Sequence, residues 1–342
     1  MLHFLSSLFA TSSRRDDPVD KALLERATER ALEGSDPRLR ALPGYRKRLR
    51  APVETAVRHV IDLVGRLPEP AEISRQAFRN DPRLRAFFVS PEHLQETMAG
   101  CPMMSDYLRG ANPAAGDVIF GLLSMTRSEK NILGMDLRGD TLQRDVAQVA
   151  VSFSDHRYLG PSGDETETRR ELMRRGFDFL IERALESIIA TRSKQAELDQ
   201  QRQLLQRKLR AMEAGNWGLE AAFAASEAGG ADLVALEAEI QAVENELLTL
   251  GSKPHALEHS LEHIRATLGD PARWLDMRSV TLELSPMSVK AGPGTTGRSC
   301  QLELTELFAA SGRQRTVLLG RFPAQDLPPR PDFMEQAARW LG

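Results

Sequence analysis

The chain has 342 residues, of which 41% are hydrophobic, 27% are charged and 6% are aromatic. This composition is ordinary for a soluble, helix-rich globular protein, and the length suffices for two or three domains. The formal net charge of −3 provides no basic surplus of the kind that nucleic-acid-binding domains carry, so nucleic acid is not an expected partner.

The two cysteines, Cys101 and Cys300, are far apart in the sequence. They provide neither a disulfide framework nor a cysteine-based zinc site, and a reducing cytoplasm fits this usage. No apolar run reaches the roughly 18 residues that a membrane-spanning helix needs. We therefore expect a cytoplasmic protein with no cofactor.

An amphipathic segment occupies residues 1–16. On a helical wheel its apolar residues fall within one arc of about 160°, and Arg14 and Arg15 follow them. The segment either folds back onto the protein or onto a second copy, or it lies on the anionic inner face of a membrane. In the membrane case the contact residues would be Leu2, Phe4, Leu5, Leu8 and Phe9.

Residues 17–164 consist of short helical patterns and predict a helical domain. The hexapeptide DPRLRA occurs at 36–41 and at 81–86, but the residues after the two copies differ. We interpret both copies as helix starts, with Asp as the N-cap and Pro at the first helical position. Apolar residues spaced by three and four predict a helix over 52–64. A short hairpin is expected at 131–140 and a helix at 141–151.

A cluster of polar residues follows, formed by Ser152, Ser154, Asp155 and His156. These residue types are those of a catalytic triad, although a triad is normally assembled from separate segments of the chain. The alternative function is therefore an enzyme, hydrolytic or metal-dependent, with its site in the N-terminal helical domain. A walled cavity with converging titratable groups would favour the enzyme, whereas a filled apolar core would favour a non-catalytic protein.

Residues 165–270 predict a long antiparallel coiled-coil hairpin. The second arm has a heptad seam, and the first arm has a less apolar one. The formal net charge is +4 over residues 191–212 and −5 over residues 231–250, and opposite charges favour pairing of the two arms. The second seam contains Leu233, Leu236, Ile240, Val243, Leu247 and Leu250, and the first contains Ile181, Ala184, Ile188, Leu198, Leu205, Leu209 and Met212.

Glycines near the middle of this region predict a reversal of the chain at about 214–231. The apolar residues Trp217, Leu219 and Phe223 lie in this predicted tip, and we expect them to contact a protein partner. Exchange of arms between two copies, which would give a homo-oligomer, is the alternative assembly.

Two overlapping H-x-x-E-H motifs, which inverted zinc metallopeptidases use to hold a metal, lie between His255 and His263 and share His259. On a helical wheel the three histidines fall about 160–240° from Leu257, which continues the seam. We therefore expect them on a solvated face, with two alternatives: a pair of histidines spaced by four binds a divalent metal from solvent, or the N-terminal helices cover this face. A catalytic zinc would also need a third ligand from another element, and the sequence offers no recognisable one.

Residues 271–342 predict a small antiparallel β-meander, because apolar and polar residues alternate around Leu282 and around Leu302, and a third run, RTVLLGRF, follows at 315–322. A helix from about Asp332 would close this unit. The loop GPGTTGRS at 292–299 resembles a phosphate-binding loop, but Arg298 replaces the expected lysine and a strand follows instead of a helix.

The sequence thus predicts a mainly α protein: an N-terminal helical domain, a long antiparallel coiled-coil hairpin and a small C-terminal β-meander with a terminal helix. No motif is specific enough to name a reaction. The expected function is a non-catalytic coiled-coil scaffold or adaptor that acts through protein–protein contacts, with peripheral membrane attachment as a secondary hypothesis.

Overall fold

The computed structural model describes residues 20–111, 117–138, 141–213, 228–250, 256–290 and 299–327. The chain divides into two compact units. The sheet unit includes Arg58–Phe177 and Ala272–Gly342, and the helical unit includes Pro18–Val57 and Asp178–Pro271. The predicted amphipathic segment 1–16, the hairpin-tip residues Trp217, Leu219 and Phe223, and the predicted C-terminal helix lie outside the described residues.

The elements are numbered in chain order. The helices are α1 (Lys21–Glu33), α2 (Tyr45–Gly65), α3 (Arg75–Asn80), α4 (Pro82–Phe87), α5 (Pro91–Gly100), α6 (Pro102–Ala111), α7 (Glu165–Glu213), α8 (Ala228–Leu250) and α9 (Ala256–Gly269). The strands are β1 (Ala71–Glu72), β2 (Val118–Arg138), β3 (Thr141–Ser162), β4 (Leu275–Leu284), β5 (Cys300–Ala309) and β6 (Gln314–Pro323). No described helix is long and apolar enough to cross a membrane.

The strands form one sheet in the order β3-β2-β6-β5-β4, in which neighbouring strands are antiparallel. The short strand β1 pairs with β6 in the parallel direction. After β4 the chain returns to the opposite edge of the sheet, where the Val151 N–H donates to Ser288 O at 2.8 Å and the Lys290 N–H donates to Val149 O at 2.9 Å. The segment that follows β4 therefore pairs with β3.

The prediction of a mainly α fold is wrong. A long hairpin of β2 and β3, with 21 and 22 residues, lies between α6 and α7, and the helix predicted over 141–151 is part of β3. In β2 the five consecutive residues 121–125 are all buried. A strand that is buried on both faces lacks the alternation of apolar and polar residues, and its sequence cannot be told from that of a buried helix.

The predicted C-terminal meander agrees with β4, β5 and β6, which are antiparallel to one another in that order. The inward-facing residues Leu282, Leu284, Leu302 and Leu304 are buried, as the alternation predicted. Strands β4 and β5 could be predicted because only one of their faces is buried over most of their length, whereas residues 316–320 of β6 are all buried.

The Asp-Pro helix starts are confirmed: Asp36 precedes a 3₁₀ helix, Pro37–Ala41, and Asp81 precedes α4. Asp36 and Asp81 each accept a hydrogen bond from the backbone N–H two residues later, and the prolines that follow them occupy the first helical position. The helix predicted over 52–64 lies within α2, which begins earlier, at Tyr45.

The core of the sheet unit is an apolar cluster between the strands and helices α3 to α6. Tyr158 is fully buried in it, and its hydroxyl lies 2.9 Å from Ile119 O and 3.0 Å from Gly320 O, to which it donates. The Tyr158 ring packs directly on Gly121, where a Cβ atom would overlap the ring. This close approach explains why a glycine occupies the middle of a buried strand.

In the helical unit, arginine–carboxylate pairs connect helices that are distant in sequence. Arg30 of α1 binds Asp178 of α7, with Nη2 and Oδ2 2.6 Å apart. Arg48 of α2 binds two carboxylates of α9, at 2.7 Å from Glu258 and 3.1 Å from Glu262. The helical unit thus combines an apolar core with charged contacts between its helices.

Candidate functional site

A β-bulge interrupts the β2–β3 ladder at Asp155 and His156. The ladder pairs Ser124 with Arg157 and Thr126 with Ser154, so β3 has one residue more than β2 in this interval. Asp155 has a φ of 51°, in the left-handed region that Asp adopts more readily than most residues. Asp155 and His156 of the predicted polar cluster thus lie at the bulge itself, and β-bulges are often found next to functional sites.

Arg315 of β6 holds this bulge in place. Its guanidinium donates to Asp155 O at 2.7 Å and to Asp155 Oδ2 at 2.5 Å, and also to the hydroxyls of Ser124 and Thr126. The hydrogen bond from Arg315, with a further one from Arg157, keeps the pKa of Asp155 below its usual value. Asp155 is therefore ionised and tied to arginines rather than oriented towards a histidine.

His156 is held by aromatic and backbone contacts. Its ring stacks on Phe88, with centroids 4.8 Å apart, and its Nε2 lies 3.0 Å from Phe87 O. Burial lowers the pKa of His156, and the hydrogen bond to the Phe87 carbonyl offsets only part of this effect. The ring is therefore neutral at pH 7 and Nε2 carries the proton. His93 of α5 is the nearest second histidine, at 6.2 Å between centroids.

The structure does not assemble a triad from this cluster. Ser152 and Ser154 are exposed, and no hydrogen bond among the described residues joins either hydroxyl to His156. The carboxylate that a triad would use to orient the imidazole is bound by Arg315 instead. His93 and Arg315, which complete the surroundings of the bulge, could not be found from the sequence because both lie far from it in the chain.

The H-x-x-E-H region does not form a metal site in the part of the chain that the structure describes. His255 lies outside that part, and His263 is half-buried against α7, where its ring nitrogens lie 2.9 Å from Ser187 Oγ and 3.1 Å from Thr191 Oγ1. Burial lowers the pKa of His263, and the nearby His259 adds to this effect. Among the described residues no three metal-binding side chains come together.

The surroundings of α9 therefore differ from the solvated face that the sequence predicted. His263 contacts two hydroxyl groups, and Glu258 and Glu262 bind Arg48. The wheel gave the correct buried side, because Leu261, Ile264 and Leu268 are buried. It could not show that other helices cover part of the opposite side.

The long helix α7 and helix α8 contact each other in the helical unit. The Gln195 amide donates to Leu250 O at 2.8 Å, and Lys194 Nζ lies 3.7 Å from Glu246 Oε1. These contacts join residues of the basic arm to residues of the acidic arm. Whether the two arms form a regular coiled coil with a tip at 214–231 stays a prediction.

Several large apolar side chains of these two helices are exposed. In α8 the exposed fractions are 66% for Val234 and 73% for Leu248, whereas Leu236, Ile240 and Val243 are buried. In α7, Ile189 and Leu204 are more than half exposed. The sequence already carried this signal, because Val234 and Leu248 are apolar residues that fall outside the heptad seam.

No protein-family model matches the chain, no curated protein is significantly similar to it in sequence, and no solved structure significantly resembles it. Its function must therefore be inferred from its own residues.

Proposed function

We propose that the chain is a non-catalytic scaffold or adaptor that acts through protein–protein contacts, and that α8 supplies one of its contact surfaces. The observation that carries this proposal is the second apolar line on α8. On a helical wheel Val234 and Leu248 lie about 40° apart, and each lies about 80° or more from the three buried residues of the helix. The buried residues occupy one face of α8, whereas Val234 and Leu248 lie exposed on the other, with the polar residues Gln241 and Asn245 between them along the helix.

An exposed apolar line on a charged helix is a common feature of helix-binding interfaces. Leucine and valine side chains that remain in water forfeit a favourable transfer free energy of roughly 1.5–3 kcal/mol each, which a partner can recover. The acidic residues of the arm would select a partner with basic residues around an apolar contact.

The alternative function, an enzyme with its site near Asp155 and His156, has less support. The Asp155 carboxylate is bound by Arg315, the His156 ring contacts Phe87 and Phe88, and the adjoining core is filled with apolar side chains. Filled packing and occupied side chains are the features that favour a non-catalytic protein over an enzyme.

The proposal is tested by quantitative affinity capture from the native cell with the full chain as bait. The double variant Val234→Asp/Leu248→Asp should lose at least nine-tenths of the partner that the wild type retains. The matched control is Leu133→Asp/Met135→Asp, which changes two apolar side chains of the β2–β3 hairpin that are 73% and 64% exposed. Loss of the partner with the control variant but not with the α8 variant would refute the proposal.

Self-association is measured separately by light scattering. If the wild type is a homo-oligomer and the α8 variant is a monomer, the partner is a second copy of the chain. The surface of α8 would then serve the homo-oligomer that the sequence analysis gave as the alternative assembly.

For location, we propose the cytoplasm, with peripheral attachment to the inner face of the membrane through residues 1–16. The support is the amphipathic pattern of Leu2, Phe4, Leu5, Leu8 and Phe9 followed by two arginines. In a flotation assay with liposomes that contain anionic lipid, the intact chain should float with the liposomes, and a chain without residues 1–13 should not. Equal flotation of both chains would discard the attachment.

A further inference from the structure

A groove opens in the sheet unit where β6 changes its neighbour. β6 pairs with β5 through residues 314–317, and on the same edge it then pairs with β1 at Gly320 and Arg321. The β5–β6 ladder ends at Thr305, so the first half of β5, Cys300 to Leu304, has no partner on this side among the described strands. β5 diverges from β6 at this point.

The hydrogen-bonding groups of two strand edges face this groove. The Ala309 N–H donates to Arg313 O, and the Ala310 N–H donates to Trp274 O. The backbone N–H and C=O groups of odd-numbered residues of β5 therefore point towards β6, and those of even-numbered residues point towards β4. The backbone groups of Gln301 and Glu303 therefore point into the groove. On the other side, the Ile73 N–H donates to Arg321 O, so the backbone groups of Glu72 point away from β6.

The groove is broad and mostly open to solvent, with a volume of about 570 Å³. Helices α3 and α4 contribute Ala77, Asn80, Asp81, Pro82 and Arg83 to its lining, and the strands contribute Ala71, Glu72, Gln301, Leu302 and Glu303.

The charged residues of the lining are predominantly acidic, with three carboxylates and one guanidinium. Asp81 binds Arg83, and Glu72 accepts a hydrogen bond from Ser74 and lies 3.6 Å from Arg321. Glu303 is exposed, and no ion pair among the described residues involves it. The groove therefore offers an available carboxylate beside backbone groups that no described strand pairs with, of which Gln301 O accepts only from the Cys300 thiol at 3.8 Å.

We propose that this groove binds an extended, basic peptide segment of a partner protein, which adds a strand to the free edge of β5. The backbone groups of Gln301 and Glu303 would pair with the peptide, and a Lys or Arg of the peptide would lie beside Glu303. The site lies in the sheet unit and does not depend on the surface of α8, so the Val234→Asp/Leu248→Asp variant should bind the peptide as the wild type does.

The probe is a fluorescein-labelled peptide, acetyl-Thr-Lys-Val-Lys-Val-Lys-Thr-amide, titrated with the full chain and followed by fluorescence anisotropy. We expect saturable binding at low salt that weakens in 1 M NaCl. The same peptide with Glu in place of Lys should bind at least tenfold more weakly, and so should a lysine peptide with N-methyl groups on alternate amides. Equal binding of either analogue would overturn the proposal.

Proline variants test the strand edge directly. Gln301→Pro removes an N–H that faces the groove and leaves the hydrogen bonds to β4 intact, so it should reduce binding about tenfold without unfolding the protein. The matched control is Thr281→Pro in β4. Thr281 is exposed, and the alternation of backbone groups in the β4–β5 ladder directs its N–H to the outer edge of β4, away from β5. Equal binding by the two variants, with unchanged thermal unfolding, would refute addition of a strand at β5.

Charge variants locate the basic residue of the peptide. Glu303→Lys should weaken binding of the lysine peptide about fivefold. The control is Glu283→Lys, which makes the same change on the adjacent strand β4, outside the groove lining, and should leave binding unchanged. The exposed thiol of Cys300 provides an independent readout, because Cys101 is buried and a thiol-reactive dye would selectively label Cys300, the residue next to Gln301 of the groove lining. A dye signal that does not respond to saturating peptide would place the binding elsewhere and overturn the proposal.

A second copy of the chain is the competing occupant. If light scattering shows a dimer of the wild type that Gln301→Pro converts to a monomer, the groove belongs to a self-association interface and the peptide proposal is wrong. A wild type that remains monomeric and binds the lysine peptide supports it.

Discussion

The helical unit and the sheet unit use their charged residues differently. In the helical unit, ion pairs such as Arg30–Asp178 and Arg48–Glu258 connect separate helices. In the sheet unit, ion pairs such as Arg127–Glu306 and Arg315–Asp155 connect separate strands, whereas the helices meet the strands through an apolar cluster that contains the buried Tyr158. The comparison teaches that the packing of helix on helix in the helical unit should respond to pH and salt, whereas the packing of helices on the sheet should respond mainly to the volume of the core side chains.

The largest expected effect is on the sheet core. Leu304→Ala removes a side chain that is 3% exposed and should lower the free energy of unfolding by about 3 kcal/mol, from lost burial and from the cavity left behind. Urea unfolding measures the loss, and hydrogen exchange locates it in β4, β5 and β6. The control, Leu133→Ala at a residue 73% exposed, should change stability by less than about 0.5 kcal/mol. Equal losses would contradict a core-based sheet unit.

The next effect concerns two glycines of β2. Gly121→Ala places a methyl group against the Tyr158 ring, which is buried and cannot move aside, and should cost about 2–3 kcal/mol. Gly134→Ala meets only the end of the Gln148 side chain, which can rotate away, so it should cost about 1 kcal/mol or less. Thermal unfolding of both variants tests the difference, and a more stable Gly121→Ala variant would show that the ring does not pack as described.

Acid should destabilise the helical unit through Asp36. Burial alone would raise the pKa of Asp36, but hydrogen bonds from Arg38 and Arg192 outweigh it and lower the pKa from its ordinary value of 3.8 to about 2. A carboxylate whose folded pKa is depressed contributes stability above its unfolded pKa, and the contribution is lost as the pH falls from about 4 to about 2.

A shift of this size corresponds to about 2 kcal/mol at neutral pH. Hydrogen exchange of helix α1 and of the 36–41 turn, measured from pH 5 to pH 2.5, should reveal the loss. The variant Asp36→Asn should be less stable at pH 7 and should show a weaker dependence on pH in this window. A dependence that equals that of the wild type would assign the acid sensitivity to other groups.

The smallest effect expected is that of an exposed ion pair. Arg48→Gln removes the contacts with Glu258 and Glu262, which are partly exposed, and should lower the stability of the helical unit by about 1 kcal/mol or less. In 1 M NaCl the difference between variant and wild type should almost vanish because salt screens the pair. A difference that persists in salt would indicate that packing of the arginine stem, not charge, is lost.

Prediction from the sequence succeeded where one face of an element is buried. The alternation at Leu282, Leu284, Leu302 and Leu304 located β4 and β5, and Asp81 with Pro82 located the start of α4. It failed for β2, because residues 121–125 are buried on both faces and carry no period. A local sequence pattern shows which side of a helix or strand is buried, but it does not show which other elements pack on that side.

The surroundings of the candidate sites were even less accessible to sequence analysis. The position of Arg315 at the Asp155 bulge depends on the register between β2 and β6, and the contacts of His263 depend on how α9 packs on α7. The groove beside Glu303 exists because β6 pairs with β5 over residues 314–317 and with β1 at residues 320–321, on the same edge. In contrast, the exposed line of Val234 and Leu248 follows from the helical period alone and could have been recognised.

The central claim, that the exposed line of α8 binds a protein, is tested most directly by a photo-crosslinking residue in place of Gln241 in the full chain in its native cell. Gln241 is exposed and lies between Val234 and Leu248 on the helical wheel. We expect one adduct of defined mass, absent when the crosslinker replaces the exposed Glu239 on another side of the helix and absent in the Val234→Asp/Leu248→Asp background. No adduct from position 241, or the same adduct from position 239, would contradict the account.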